Sequence, residues 1–246
     1  MSVLTKVITP REAPSIEIAG SYQEEVIPKP TGKTLTPQPR LKTRWWMPRV
    51  RHLEAKVRTR TEAKWLFVGD SITENWFEAG NETWKKYFSV KAINVGVAGD
   101  RTENILWRLQ NGHMPKNCNT VRWVVVLAGT NNLTDGDTSA EVARGIGGIV
   151  NLLLDHCSNA RILLMGVFPR SGKKFFHAIR DINNRIAQLQ DNVRIFYLDI
   201  GDLFLNPDGS INTKLLPDGL HLSSEGYHIW ARALLPFLEN DNVPKP

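Results

Sequence analysis

The chain has 246 residues, enough for one α/β domain or two small ones, with 41% hydrophobic and 23% charged residues. That balance excludes wholesale disorder, a collagen-like chain and a coiled-coil rod, and no stretch approaches the roughly 18 apolar residues of a membrane span. The net charge of +6 is uneven: residues 1–60 hold 12 Lys and Arg against 5 Asp and Glu, while the remaining 19 and 20 nearly cancel, so the basic character gives the body no nucleic-acid signature.

In chain order, residues 1–44 read as an extended arm holding six of the fourteen prolines, with little apolar periodicity. The start has no apolar h-region, so no signal peptide is expected and a cytoplasmic or other intracellular location is the expectation. Residues 45–63 form a basic segment with Trp45 and Trp46, expected to pack its tryptophans on the domain and leave its arginines in solvent. With the arm, this segment is also a candidate site for an acidic protein or assembly partner. From Lys64 the pattern becomes short apolar runs alternating with amphipathic segments. Strands are predicted at Trp65–Val68, Val90–Val95, Trp123–Leu127, Ile162–Val167 and Val193–Leu198. Helices are predicted near Thr102–Leu109, Ser139–His156, Phe176–Gln190 and Ser223–Glu239. Residues 64–240 are therefore expected to form one three-layer α/β/α domain around a five-stranded parallel sheet. Cys118 and Cys157 cannot form a disulfide framework and read as buried apolar thiols, which suits a reducing compartment.

Four strand-end loops carry residues suited to chemistry. Gly69-Asp70-Ser71 ends the first strand, where a nucleophilic serine would sit at a helix N-terminus; a plain serine N-cap is the bland alternative. A serine hydroxyl needs a base, and the base an orienting acid. Asp218-Gly-Leu-His221 has that composition: an Asp three residues before a His can hold the imidazole Nδ1 and leave Nε2 for Ser71. A capping Asp beside a surface His is the alternative. Acyl transfer also needs donors for the oxyanion. Gly99 and Asn131, in the loops after the second and third strands, are candidates; alone, each reads as a turn residue. No metal-ligand spacing and no nucleotide-binding glycine motif is present, so neither metal nor cofactor is expected. Gly145, Gly147 and Gly148 fall in a helical pattern and read as sites of close helix packing.

Gly69-Asp70-Ser71, Gly99-Asp100, Gly129-Thr130-Asn131-Asn132 and Asp218-x-x-His221 stand in the order and rough spacing of the SGNH (GDSL-type) hydrolases, and the resemblance runs from about Lys64 to Leu238. It is greatest to the branch around the catalytic subunits of intracellular platelet-activating-factor acetylhydrolase and related bacterial esterases. That resemblance implies a flavodoxin-like fold. It also implies Ser71 as nucleophile, His221 as base, Asp218 as its orienting acid, and an oxyanion hole made by the Ser71 and Gly99 N–H groups with the Asn131 amide. The activity implied is hydrolysis of small-acyl esters, acetyl above all, with a sugar, a lipid or a small molecule as alcohol. A dimer is compatible with it. The chain departs from many members in carrying Asn132 where they have Asp, as this branch also does, and Ala98 where the branch often has a second glycine. The alternative function is an SGNH-fold component recruited into a larger assembly by its basic arm.

Overall fold

The computed structural model describes residues 32–239; the portion of the proline-rich arm before Gly32 lies outside the described residues. The five strands are β1 (Trp65–Gly69), β2 (Ala92–Asn94), β3 (Trp123–Leu127), β4 (Arg161–Met165) and β5 (Ile195–Leu198). All pairings are parallel, in the order β2-β1-β3-β4-β5. The helices are α1 (Trp46–Thr59), α2 (Ser71–Glu74), α3 (Asn81–Tyr87), α4 (Thr102–Arg108), α5 (Thr130–Thr134), α6 (Ser139–His156), α7 (Lys173–Ala187) and α8 (Ser224–Leu238).

Strand order reverses between β1 and β3, which creates the crevice at the strand carboxyl ends where open α/β sheets bind ligands. β1 and β3 are buried along their whole length, so their alternating side chains fill two different cores. Leu66, Val68, Val124 and Val126 enter an aliphatic core with Ile105 of α4, Ile146 and Ile149 of α6 and Ile182 of α7. Trp65, Phe67, Trp123 and Val125 enter an aromatic core with Trp76, Trp84 of α3, and Tyr227 and Trp230 of α8.

Every predicted strand is present, with ends moved by a few residues. The second is shorter, because Val90 lies 85% exposed in the turn before it. The helix over Ser139–His156 has the predicted bounds, closed at its start by a reciprocal capping box between Thr138 and Glu141. Two of its three glycines serve close packing: side chains at Gly145 and Gly148 would collide with Thr102 and Leu35, whereas one at Gly147 would meet only Leu189, at ordinary contact distance. A 3-10 turn over Lys33–Leu35 lies on this helix, with Thr34 buried and its Oγ1 donating to the Glu141 carbonyl at 2.8 Å.

The expectation for the cysteines is corrected. Cys118 and Cys157 are joined as a disulfide, their Cα atoms 5.1 Å apart. Both sit in the aliphatic core. Two cysteines are too few for a multi-bridge framework but enough for one bridge, and cysteine usage no longer points to a reducing compartment. Among the described residues, no helix is long and apolar enough to cross a membrane.

Candidate active site

β1 ends at Gly69, whose position against Thr73 and the Leu127 carbonyl leaves no room for a side chain. The chain then turns into α2. Asp70 is the N-cap, its Oδ1 accepting the Ile72 N–H at 3.0 Å. Ser71 is the first residue of the helix, so its N–H has no intrahelical acceptor. Asp70 is fully buried, and its Oδ2 has no hydrogen-bond partner. Burial pushes its carboxyl up to about 7; the Ile72 N–H pulls the other way and the Asp100 charge adds to the rise.

The loop before α8 supplies Asp218 and His221. Asp218 does two jobs at once. Its Oδ1 accepts the Leu220 and His221 N–H groups at 2.9 and 2.7 Å, which shapes the turn. Its Oδ2 lies 2.7 Å from His221 Nδ1. Burial works to raise the Asp218 carboxyl, but the hydrogen bonds from the His221 side chain and backbone outweigh it and hold it below the usual range. His221 Nε2 lies 2.9 Å from Ser71 Oγ. With the Nδ1 proton facing Asp218, the Nε2 lone pair is free to accept from the serine hydroxyl. Gly219, at φ +75°, lies so close to Ser171 that a side chain would collide, and its carbonyl accepts the Ser171 N–H at 2.7 Å.

The loops after β2 and β3 form the other side. Gly99 has φ +73°, a backbone conformation that suits glycine, and among the described residues its N–H is paired with no backbone carbonyl. The Asn131 amide donates to the Asp100 carbonyl at 2.9 Å, which fixes the amide plane and leaves its second N–H unused by that bond. Arg170, following β4, steadies α5 by donating to the Thr130 carbonyl and the Thr134 hydroxyl, both at 3.0 Å.

Asn132 accounts for one departure from the common pattern. It is fully buried, its Oδ1 accepts the Thr102 N–H at 3.0 Å, and its amide donates to Glu103 and Asp137 at 3.1 and 2.9 Å. An aspartate there would face two carboxylates with nothing to donate.

The five residues singled out in the sequence thus fall on four strand-end loops, and Ser71, His221 and Asp218 form one hydrogen-bonded chain. Sequence reasoning missed the residues that hold Asp100. Its carboxylate is fully buried and accepts from Trp46 Nε1 at 2.7 Å, Arg40 Nη1 at 3.1 Å and Arg108 Nε at 2.5 Å. Arg40, from the segment read as an extended arm, is therefore turned inward on to Asp100, and of the two tryptophans Trp46 is buried while Trp45 stands half exposed. One signal for it was present: Trp46, Val50, Leu53 and Val57 follow helical spacing, and all four are buried. Among the described residues, no group of three or more His, Cys, Asp or Glu side chains is arranged to hold a metal ion.

Comparison with known proteins gives the family and the fold. The GDSL-like lipase/acylhydrolase family profile matches residues 67–229. Platelet-activating factor acetylhydrolase IB subunit alpha1 from Bos taurus is 35% identical over 179 residues, covering 70% of this chain and 74% of the relative. The alpha2 subunit from Rattus norvegicus is 37% identical over 170 residues, covering 66% and 70%. Among solved structures, a GDSL-like lipase from Bacteroides thetaiotaomicron superposes with a TM-score of 0.64 at 18% identity, over 77% of this chain and 97% of that one. An acetyl-xylooligosaccharide esterase from Geobacillus gives 0.55 at 17% identity, over 75% and 97%. The chain belongs to the GDSL-like lipase/acylhydrolase family and is a serine hydrolase acting on esters.

Proposed function

We propose that this chain is an esterase for short acyl groups, acetyl first among them, working through Ser71, His221 and Asp218. The observation that carries the reading is the continuous chain from Asp218 Oδ2 through His221 to Ser71 Oγ, at 2.7 and 2.9 Å. In this reading Ser71 Oγ attacks the ester carbonyl as its proton passes to His221 Nε2. The oxyanion is received by the N–H groups of Ser71 and Gly99 and by the Asn131 amide. His221 returns the proton to the leaving alcohol, and an acyl-enzyme remains on Ser71. Water then attacks, again losing its proton to His221, and the acid is released. Asp218 keeps the imidazole in the tautomer that accepts at Nε2 and stabilises the imidazolium. The acetyl preference rests on the relatives named as acetylhydrolase subunits and on the acetyl-xylooligosaccharide esterase of the same fold. p-Nitrophenyl acetate, butyrate and octanoate compared on the wild type and Ser71→Ala test it. Turnover falling with acyl length and absent in the variant is expected; an octanoate preference removes the acetyl reading, and turnover in Ser71→Ala removes the nucleophile.

Recruitment into an assembly is a second reading, favoured by relatives named as subunits and by Leu41 and Trp45, which stand 70% and 48% exposed beside the exposed Arg44. The double replacement Leu41→Asp and Arg44→Glu should then abolish co-purification of a partner while leaving esterase turnover intact. Co-purification that survives the replacement rules out this exposed patch as tether.

A further inference from the structure

The segment ahead of β1 reaches the oxyanion side of the site from outside the family-matched region, which begins at residue 67. Arg40 lies across Gly99, its Nη2 3.0 Å from where a side chain on that glycine would begin. Its Nη1 donates to the Ala98 carbonyl at 2.6 Å and to Asp100 Oδ1 at 3.1 Å. Trp46 donates to the same Oδ1. One helical turn on, Arg49 pairs with Glu74 Oε1 at 2.7 Å, and Glu74 Oε2 accepts the Ala98 N–H at 2.6 Å. Asp100 joins both proposed donors: its amide bond follows Gly99, and its carbonyl holds the Asn131 amide. Among the described residues, the carboxylate has Arg108 as its only donor from within the matched region.

We propose that Arg40, with Trp46, is a positioning residue that sets the Gly99 N–H and the Asn131 amide for the oxyanion by clamping residues 98–100. The inference rests on the esterase reading above. A clamp of this kind touches no substrate, so it acts on kcat and leaves KM nearly unchanged, because the oxyanion exists only in the transition state.

The test is steady-state p-nitrophenyl acetate hydrolysis on the full chain, per folded protein by circular dichroism. The variants are Arg40→Ala, Arg40→Lys, Trp46→Phe, Arg51→Ala, Asn131→Ala, the Arg40→Ala/Asn131→Ala double variant and Ser71→Ala. Arg40→Ala should lower kcat on the order of 10- to 100-fold with KM within about twofold. Arg40→Lys should recover part of it, since an ammonium can reach Asp100 without forking to the Ala98 carbonyl. Trp46→Phe, which keeps an aromatic ring but loses the donor and part of the indole volume, should lower kcat about fivefold. In the Asn131→Ala background the cost of Arg40→Ala should shrink, because both act through one oxyanion hole. Arg51→Ala, an exposed arginine of the same segment, should leave kcat unchanged. Wild-type kcat in Arg40→Ala while Ser71→Ala is dead overturns the clamp alone. Fully additive losses in the double variant, with no recovery by lysine, reduce Arg40 to a structural role and also overturn it. Turnover in Ser71→Ala removes the esterase reading beneath it.

Discussion

The two halves of the proposed site are supported in different ways. The Asp218–His221 half is local: four consecutive residues make their own turn, and the Asp218 and His221 side chains are 58% and 31% exposed. The Gly99–Asn131 half is non-local: Asp100 is fully buried and draws donors from positions 54 and 60 residues earlier in the chain. A half that builds its own turn tolerates change elsewhere. A half assembled from distant segments couples the oxyanion donors to the packing of the whole N-terminal region.

The largest expected effects fall where the halves meet. Ser71→Ala should lower kcat by at least about 10⁴-fold, measured on any accepted ester. Asp218→Asn keeps a carbonyl oxygen for the two backbone N–H groups but removes the charge beside Nδ1. A kcat loss on the order of 10²–10⁴-fold with an unchanged melting temperature is expected, and would sharpen the view of this half as self-supporting. A large fall in melting temperature would break it. Asn131→Ala should cost on the order of 10²–10³ in kcat; full activity would take Asn131 out of the oxyanion hole.

Smaller effects test the buried half through stability. Asn132→Asp places a third carboxylate against Glu103 and Asp137 and should cost about 3 kcal/mol in chemical denaturation at pH 7. An unchanged midpoint would show that the departure from aspartate carries no energetic preference. Asp70 gives a pH signature. Its folded value of about 7 exceeds the ordinary 3.8, so the folded chain keeps a proton that the unfolded chain releases. The stability this supplies is complete below about pH 4 and is lost as pH rises toward 7. Asp70→Asn removes that slope: between pH 5 and 8 the wild type should lose on the order of 3 kcal/mol relative to the variant. Parallel pH profiles would contradict a neutral Asp70.

What could be read from the sequence follows the same division. The β1 and β3 strands are continuous apolar runs covered on both faces, a pattern that short-range hydrophobicity exposes. Asp218 and His221 were legible because acid and base stand three residues apart. α1 was obscured by dense basic residues and by Pro48 in its first turn, although its buried stripe was present. The grip of Arg40 and Trp46 on Asp100 leaves no local pattern, because separations of that length carry no periodicity. The cysteine pair was hidden for a related reason: its members, 39 residues apart, meet only once the sheet has formed.

The unequal filling of the two cores gives the molecule an uneven optical response. Trp65, Trp76, Trp84, Trp123 and Trp230 all lie in the aromatic core, and Trp76 and Trp230 have ring centroids 4.9 Å apart. Trp46 and Trp107 pair at 5.4 Å beside the Asp100 loop. The aliphatic core has no tryptophan among its described members. Tryptophan fluorescence therefore watches one face of the sheet and the N-terminal clamp and draws no emitter from the aliphatic core, so unfolding followed by it and by circular dichroism will diverge if the two faces part at different times.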